Sequence, residues 1–300
     1  MWFLFALVAL LCWSGSDLFS KIGCREPDDK LAHLKMVMAV GLVMGLHAAY
    51  EIFIGGTEIS WHVIWTYLPV SLLYILSMTL GYVGLRYIEL SISSPICNAS
   101  GALVALMWLL TGAETTPAAL AAVILVSVGV IGLGVVESRE DDQLRAARQE
   151  ASNYKYAKSW LALALPIAYM LLDAAGTFAD TIVLRELDEG SANCAYELTF
   201  LAAGLFSFIY VVLIRKDKLI PKLEAPKYVG AAFETAGQFA YIYAIADEEH
   251  AMYSAPMIAS YCVVSVLWSR IFLREKLSRK HYLMILLVVI GIVILGILDL

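Results

Sequence analysis

The sequence predicts an all-α integral membrane fold of ten transmembrane helices, arranged as an inverted five-plus-five repeat. Three observations lead there. Of the 300 residues, 61% are hydrophobic and only 16% are charged, where an ordinary soluble domain carries roughly 25% charge. Ten apolar runs of membrane length follow one another, and a soluble core would account for only one or two of them. The two halves of the chain also echo each other, with basic residues gathered on alternate loops.

The runs lie at roughly 2–20, 36–54, 62–85, 92–111, 117–136, 160–184, 192–214, 228–246, 251–272 and 281–298. Lipid offers backbone N–H and C=O groups no partners, so each run must satisfy its own as a helix. The first, MWFLFALVALLCWSGS, has the apolar length of a signal peptide. It lacks a basic leading segment and a small-residue cleavage site, and it continues into Asp17, so it reads as a retained span. The fifth and tenth runs carry no ionisable side chain beyond His281 at a boundary. Their glycines, Gly129, Gly134, Gly291 and Gly296, let helices approach closely in lipid. Their role is expected to be structural.

Charge fixes the orientation. With the two membrane sides numbered alternately from the N-terminus, twenty of the twenty-one Lys and Arg residues fall on one side, and Arg185 alone on the other. Basic loops stay in the cytoplasm, so both termini are expected on the external face of a multi-pass cell-membrane protein. The net charge of −6 gives no sign of a nucleic-acid partner. The five cysteines (Cys12, Cys24, Cys97, Cys194 and Cys262) stand apart, with no pair at metal or redox spacing. No disulfide framework, metal or cofactor is expected from them.

An internal repeat organises the chain. A shift of 161 residues lays Tyr82 on Tyr243, Pro95 on Pro256 and Glu114 on Glu275; a shift of 156 lays Asp17 on Asp173. Because five is odd, the halves must insert in opposite orientations. The loops agree: TGAETT (111–116) has no basic residue, and its counterpart FLREKLSRK (272–280) has four. The expected division is a first repeat over 1–136, a polar linker over 137–159 and a second repeat over 160–300. Inverted repeats of this kind accompany alternating access around a central site.

A Trp followed closely by Gly in the first span (Trp13, Gly15), Lys21 at its end, and the segment SAPMIASYCVVSVLWSRIFLREKLS (254–278) resemble the drug/metabolite transporter superfamily, EamA type. SSPICNASGALVALMWLLTGAE (93–114) is the first-half echo of that segment. The resemblance covers essentially the whole chain. It implies a central cavity lined by helices one to four and six to nine, with five and ten as outer supports, and it leaves the substrate open.

Polar residues fall at helical spacing on the spans expected to line that cavity. Glu234, Gln238 and Tyr241 share one face of the eighth; Ser94, Asn98, Gly101, Ala105 and Trp108 share one of the fourth. Tyr67, Ser71, Tyr74 and Met78 mark the third, and Tyr253, Met257 and Tyr261 the ninth. Any one tyrosine stripe also suits plain helix packing. The carboxylates are less easily dismissed, since one at the centre of a bilayer costs at least about 2.5–3.5 kcal/mol. Asp173 falls mid-helix, and Glu234 lies nearer the basic side. Asp17 lies deep but four residues from Lys21, a spacing that also fits a structural ion pair. Asp180 and Glu197 fall nearer the opposite face, where solvation competes with function. Asp17, Asp173, Glu197, Glu234, Gln238, Tyr241, Tyr82, Asn98, Trp108 and Tyr261 are therefore the candidates for substrate binding or coupling.

No Lys or Arg falls in mid-membrane, so a phosphate cradle is not expected. Carboxylates interleaved with Tyr and Trp suit an amine or quaternary ammonium, through charge and cation–π attraction. A secondary active carrier of a small polar, amine-bearing or cationic metabolite is the expected function. A proton-coupled carrier of a neutral or zwitterionic metabolite is the alternative, since buried carboxylates can also load and release protons. A channel or non-transporting scaffold is a third class. No HExxH, GxSxG or phosphate loop suggests an enzyme. The lipid bilayer and the small-molecule substrate are the partners implied, and oligomeric state is not readable.

Overall fold

A computed structural model describes residues 1–26, 28–87, 90–138, 160–273 and 277–298. Most of the expected linker, from residue 139 to 159, lies outside the described residues, as does Glu275, the expected repeat partner of Glu114. The described residues form helices and connecting turns, without a strand. In chain order the helices are α1 (Trp2–Cys24), α2 (Ala32–Tyr50), α3 (Trp61–Tyr87), α4 (Leu90–Cys97), α5 (Ser100–Leu110) and α6 (Pro117–Ser138). The second half holds α7 (Trp160–Val183), α8 (Glu189–Phe208), α9 (Pro221–Ile245), α10 (Ala251–Ala259), α11 (Tyr261–Phe272) and α12 (Arg279–Leu298). Wider π turns extend α2 through Glu51–Gly55 and α8 through Ile209–Ile214.

Eight helical stretches among the described residues are long and apolar enough to cross a membrane. They include α4 with α5, and α10 with α11. Exposed Leu286, Val289, Val293 and Ile297 on α12, and Ile124, Val128 and Ile131 on α6, give the bundle an apolar exterior. Apolar surface on that scale marks a lipid-facing protein. The chain is an integral multi-pass membrane protein. The two long helices outside the eight are α7 and α9, which carry Asp173 and Asp180, and Glu234 with a polar first turn. In α9 the polar residues lower the hydropathy.

The runs at 92–111 and 251–272, read from sequence as continuous spans, are each broken in two. Pro95 and Pro256 lie within the first pieces. Proline removes a backbone donor and crowds the preceding turn. After Pro95, Ala99 N–H turns to the Ile96 carbonyl at 3.3 Å; after Pro256, Ser260 N–H reaches the Pro256 and Met257 carbonyls, each at 3.2 Å. These tightened bonds end one helix before the next begins.

First-half helices pack chiefly on second-half helices: α1 on α9, α2 on α8, α3 on α7 and α6 on α12. Glycine permits the closest of these approaches. A Cβ on Gly129 would stand 2.4 Å from Val288 Cγ2, and one on Gly291 would stand 2.8 Å from the Ala122 carbonyl oxygen. Gly134 and Gly296 instead face Ile96 of α4 and Phe3 of α1. At the start of α8, the Asp188 carboxylate accepts the Ser191 N–H at 2.9 Å and caps the helix. Burial pushes that carboxyl up, but the hydroxyl and N–H of Ser191 outweigh it and hold it below the usual range.

One end of the bundle gathers buried ion pairs. Asp29, in the segment joining α1 to α2, accepts from Lys35 Nζ at 2.9 Å and from Lys227 Nζ at 3.2 Å. Lys227 also meets Glu224 at 3.1 Å, and Arg86 donates to the Asp29 carbonyl. This basic end ties α2, α3 and α9 to one connecting segment.

Candidate functional site

Helical spacing brings polar side chains from α1, α3, α7, α8, α9 and the two broken pairs around one cavity of ≈ 80 Å³. That is room for several water-sized molecules by the usual measure. α1 contributes Trp13, Ser16, Asp17 and Ser20, which share one face. α7 contributes Tyr169, Asp173 and Thr177, four residues apart, and α9 contributes Glu234, Gln238 and Tyr241. α3 presents Tyr74, Met78 and Tyr82, and α8 presents Tyr196. The broken pairs supply Asn98, Ser100 and Gly101 on one wall, and Ala259 and Tyr261 on another.

Among the described residues three carboxylates therefore face this space: Asp17, Asp173 and Glu234. Asp17 Oδ2 accepts from Ser94 Oγ at 2.5 Å and from Ser265 Oγ at 2.7 Å. Lys21, which could have paired with it along α1, donates to the Leu85 carbonyl at 2.9 Å. Asp173 lies beside Ser100, the first residue of α5, where the positive end of a helix dipole favours an anion. Glu234 lies beside Ser16 and Trp13. Hydroxyls and a helix end thus temper these charges, and no Lys or Arg is among the described cavity-lining residues. Tyr82 Oη, Ser20 Oγ and Gln238 Nε2 are buried with no hydrogen-bond partner among the described residues. They are available to a bound molecule.

Aromatic rings close the upper part of the wall. Trp13 lies 5.0 Å from Tyr241 and 5.8 Å from Tyr261, centroid to centroid. The Tyr74 hydroxyl lies 2.5 Å from that of Tyr241, 3.2 Å from Thr177 Oγ1 and 3.3 Å from Asp180 Oδ2. A phenol has one proton to give and an ionised carboxylate accepts only. Tyr74 therefore gives its one proton to Asp180, Thr177 or Tyr241, and either phenol can be the donor between Tyr74 and Tyr241.

Eight of the ten candidates read from sequence line the cavity: Asp17, Asp173, Glu234, Gln238, Tyr241, Tyr82, Asn98 and Tyr261. Two do not. Trp108 packs edge-on against Phe178 with the Arg185 guanidinium 5.9 Å above its ring. Glu197 is wholly buried, but it faces His47 and Asn193 rather than the cavity. Asp180, expected near a solvated face, is also wholly buried, behind Tyr74. Nor does α2 supply a lining residue, although the family resemblance placed the second helix there. Its Gly41 lies against Gly204 of α8 instead.

Tyr169, Tyr196, Ser16 and Ser265 belong to the site and were not singled out from sequence. Tyr169 had a readable signal, since it precedes Asp173 by one helical step. Serines carry none, because a serine hydroxyl in an apolar helix usually bonds its own backbone. Ser77, bonded to the Tyr74 carbonyl at 2.9 Å, does so here.

A search of curated proteins gives no match. A crystal structure superposes on this chain with a TM-score of 0.64, covering 98% of this chain and 96% of its own at 15% identity, a likeness that concerns the fold alone. Residues 160–297, a little under half of the chain, match the model of the EamA-like transporter family.

Proposed function

We propose that the protein is a secondary active carrier of a small polar metabolite, amine-bearing or cationic, working by alternating access. The observation that carries this reading is a cavity wall that, among the described residues, has three carboxylates and no basic side chain. A positively charged substrate would complete what the protein leaves uncompensated. The surrounding Trp13, Tyr241 and Tyr261 rings suit the same ligand through cation–π attraction. The match of residues 160–297 to the EamA-like transporter family supports a carrier over an enzyme, and a neutral scaffold would not need such a wall.

The ten-helix inverted repeat, with domains at 1–136 and 160–300 about a linker, is the architecture we infer for this carrier. Two features support it. The helix breaks after Pro95 and Pro256 fall at equivalent positions. Asp17 and Asp173, also equivalent, each meet a broken helix of the other half: Asp17 through Ser265 and Asp173 beside Ser100. Broken helices beside a central site are a feature of inverted-repeat carriers. The basic end is assigned to the cytoplasm, with both termini external. Single-cysteine labelling in intact cells should protect a linker cysteine from an impermeant reagent and label both termini; the opposite pattern would reverse the orientation.

The buried donors of Tyr82, Ser20 and Gln238 favour a second reading, a neutral or zwitterionic substrate with protons as the coupling ion. Thermal unfolding of the purified protein separates the two, because a ligand of the folded state raises its apparent stability. Primary amines or choline should stabilise it, and matched neutral or anionic analogues should not. Stabilisation by neutral or zwitterionic compounds alone ends the amine reading, whereas conductance without saturable counterflow would indicate a channel.

A further inference from the structure

We propose that His47 and Glu197 form a proton-binding site outside the substrate cavity, through which proton uptake is coupled to transport; this rests on the carrier reading above. His47 Nδ1 lies 2.8 and 2.9 Å from the two oxygens of Glu197. Asn193 Nδ2 donates to Glu197 Oε1 at 3.1 Å. On its other side, His47 Nε2 lies 3.8 Å from Glu51 Oε1. The Glu51 and His47 side chains keep 24% and 28% of their exposure, while Glu197 keeps 0%. Three titratable groups in sequence, from partly exposed to sealed, make a path for a proton.

Charge says what the site holds. An ionised Glu197 beside a neutral imidazole leaves one net negative charge buried, which costs several kcal/mol. One proton shared across the 2.8 Å contact makes the pair neutral overall, and it then titrates as a unit. Among the described residues, Glu51 and Cys194 are the other titratable groups beside the pair, with Tyr243 from α9 facing Glu51 and Cys194. The Phe239 ring packs edge-on against His47 at 5.5 Å. Among the described residues no Lys or Arg is paired with Glu197, so the imidazole and its proton are the available compensation.

The site also has a mechanical route to the cavity. Glu197 directly follows Tyr196, which lines the cavity. The two helices it joins touch backbone to backbone, since a Cβ on Gly41 would stand 2.6 Å from the Phe200 carbonyl oxygen. A change in the charge that ties α2 to α8 is therefore applied one residue from the cavity wall.

Proton uptake by the purified protein between pH 8 and 5 tests the site without any substrate. Glu197→Gln and His47→Gln should each move the pH of that uptake, because the proton belongs to the pair, and the double variant should lose about one proton. Unchanged uptake in variants that keep native circular dichroism overturns the proposal. Should Glu197→Gln fail to fold, His47→Gln and His47→Asn decide. In liposomes, an imposed pH gradient should accelerate choline movement several-fold in the native protein and in neither variant, with choline binding unaltered. Gradient-driven movement retained by the variants overturns the coupling. If choline fails to bind even the native protein, the cavity reading falls and the proton count decides this proposal alone.

Discussion

Two buried sets of carboxylates in this protein meet opposite fates. At the basic end, Asp29 and Glu224 lie within ion-pair distance of Lys35 and Lys227. In the cavity, Asp17 takes two serine hydroxyls, Asp173 a helix start, and Glu234 the neighbourhood of Ser16 and Trp13. The residue types are the same, and the difference lies in what cancels the charge. A buried acid with its own lysine is complete and serves the fold. An acid held by neutral donors over an open space is only partly compensated, and it retains attraction for a cation from outside.

The contrast can be broken by removing charge from each set. Lys227→Met at the basic end should cost about 3–5 kcal/mol of stability, because Asp29 and Glu224 would keep buried charge with less compensation. Denaturant unfolding in detergent would show it; a loss below about 1 kcal/mol would mean that this end is not a structural tie. In the cavity, Asp173→Asn and Glu234→Gln should each weaken cation binding by about 2–5 kcal/mol, the range for truncating one partner of a buried charge pair. Neither should lower the unfolding temperature, since each removes an imperfectly compensated charge. A fall in stability comparable to that of Lys227→Met would erase the distinction between the two sets.

Aromatic substitutions sharpen the picture at smaller scale. Trp13→Leu should weaken cation binding by about 0.5–2 kcal/mol, the cation–π range. Trp108→Leu should leave binding unchanged, because that ring lies against Phe178 and Arg185, away from the cavity. Equal losses from both, measured by titration, would show that binding is not confined to this cavity.

The legible part of this protein is what periodicity and charge record. Glu234, Gln238 and Tyr241 fall at a spacing that puts them on one face, and the structure sets all three on the cavity wall. Depth along a helix was a poorer guide. Asp180 and Glu197 lie near a helix end, yet both are sealed by neighbours from other helices, Tyr74 and His47. Those contacts span more than a hundred residues, and nothing local announces them. The helix breaks were half legible: Pro95 and Pro256 stood out as repeat partners, but proline within a membrane helix can kink as well as break. Trp108 misled because its helical face is continuous with that of Asn98 only if the helix is unbroken.

The central claim is that the cavity acids accept positive charge from a substrate. Its most direct test is equilibrium binding of labelled choline to the purified native protein and to the Asp173→Asn, Glu234→Gln double variant, at pH 8 and pH 5. Saturable binding at pH 8 is expected from the native protein, weaker at pH 5 as the carboxylates take up protons and lose their attraction for the cation. The folded double variant should not bind measurably at either pH. Native-strength binding by that variant, or tighter binding at pH 5 than at pH 8, would contradict the account.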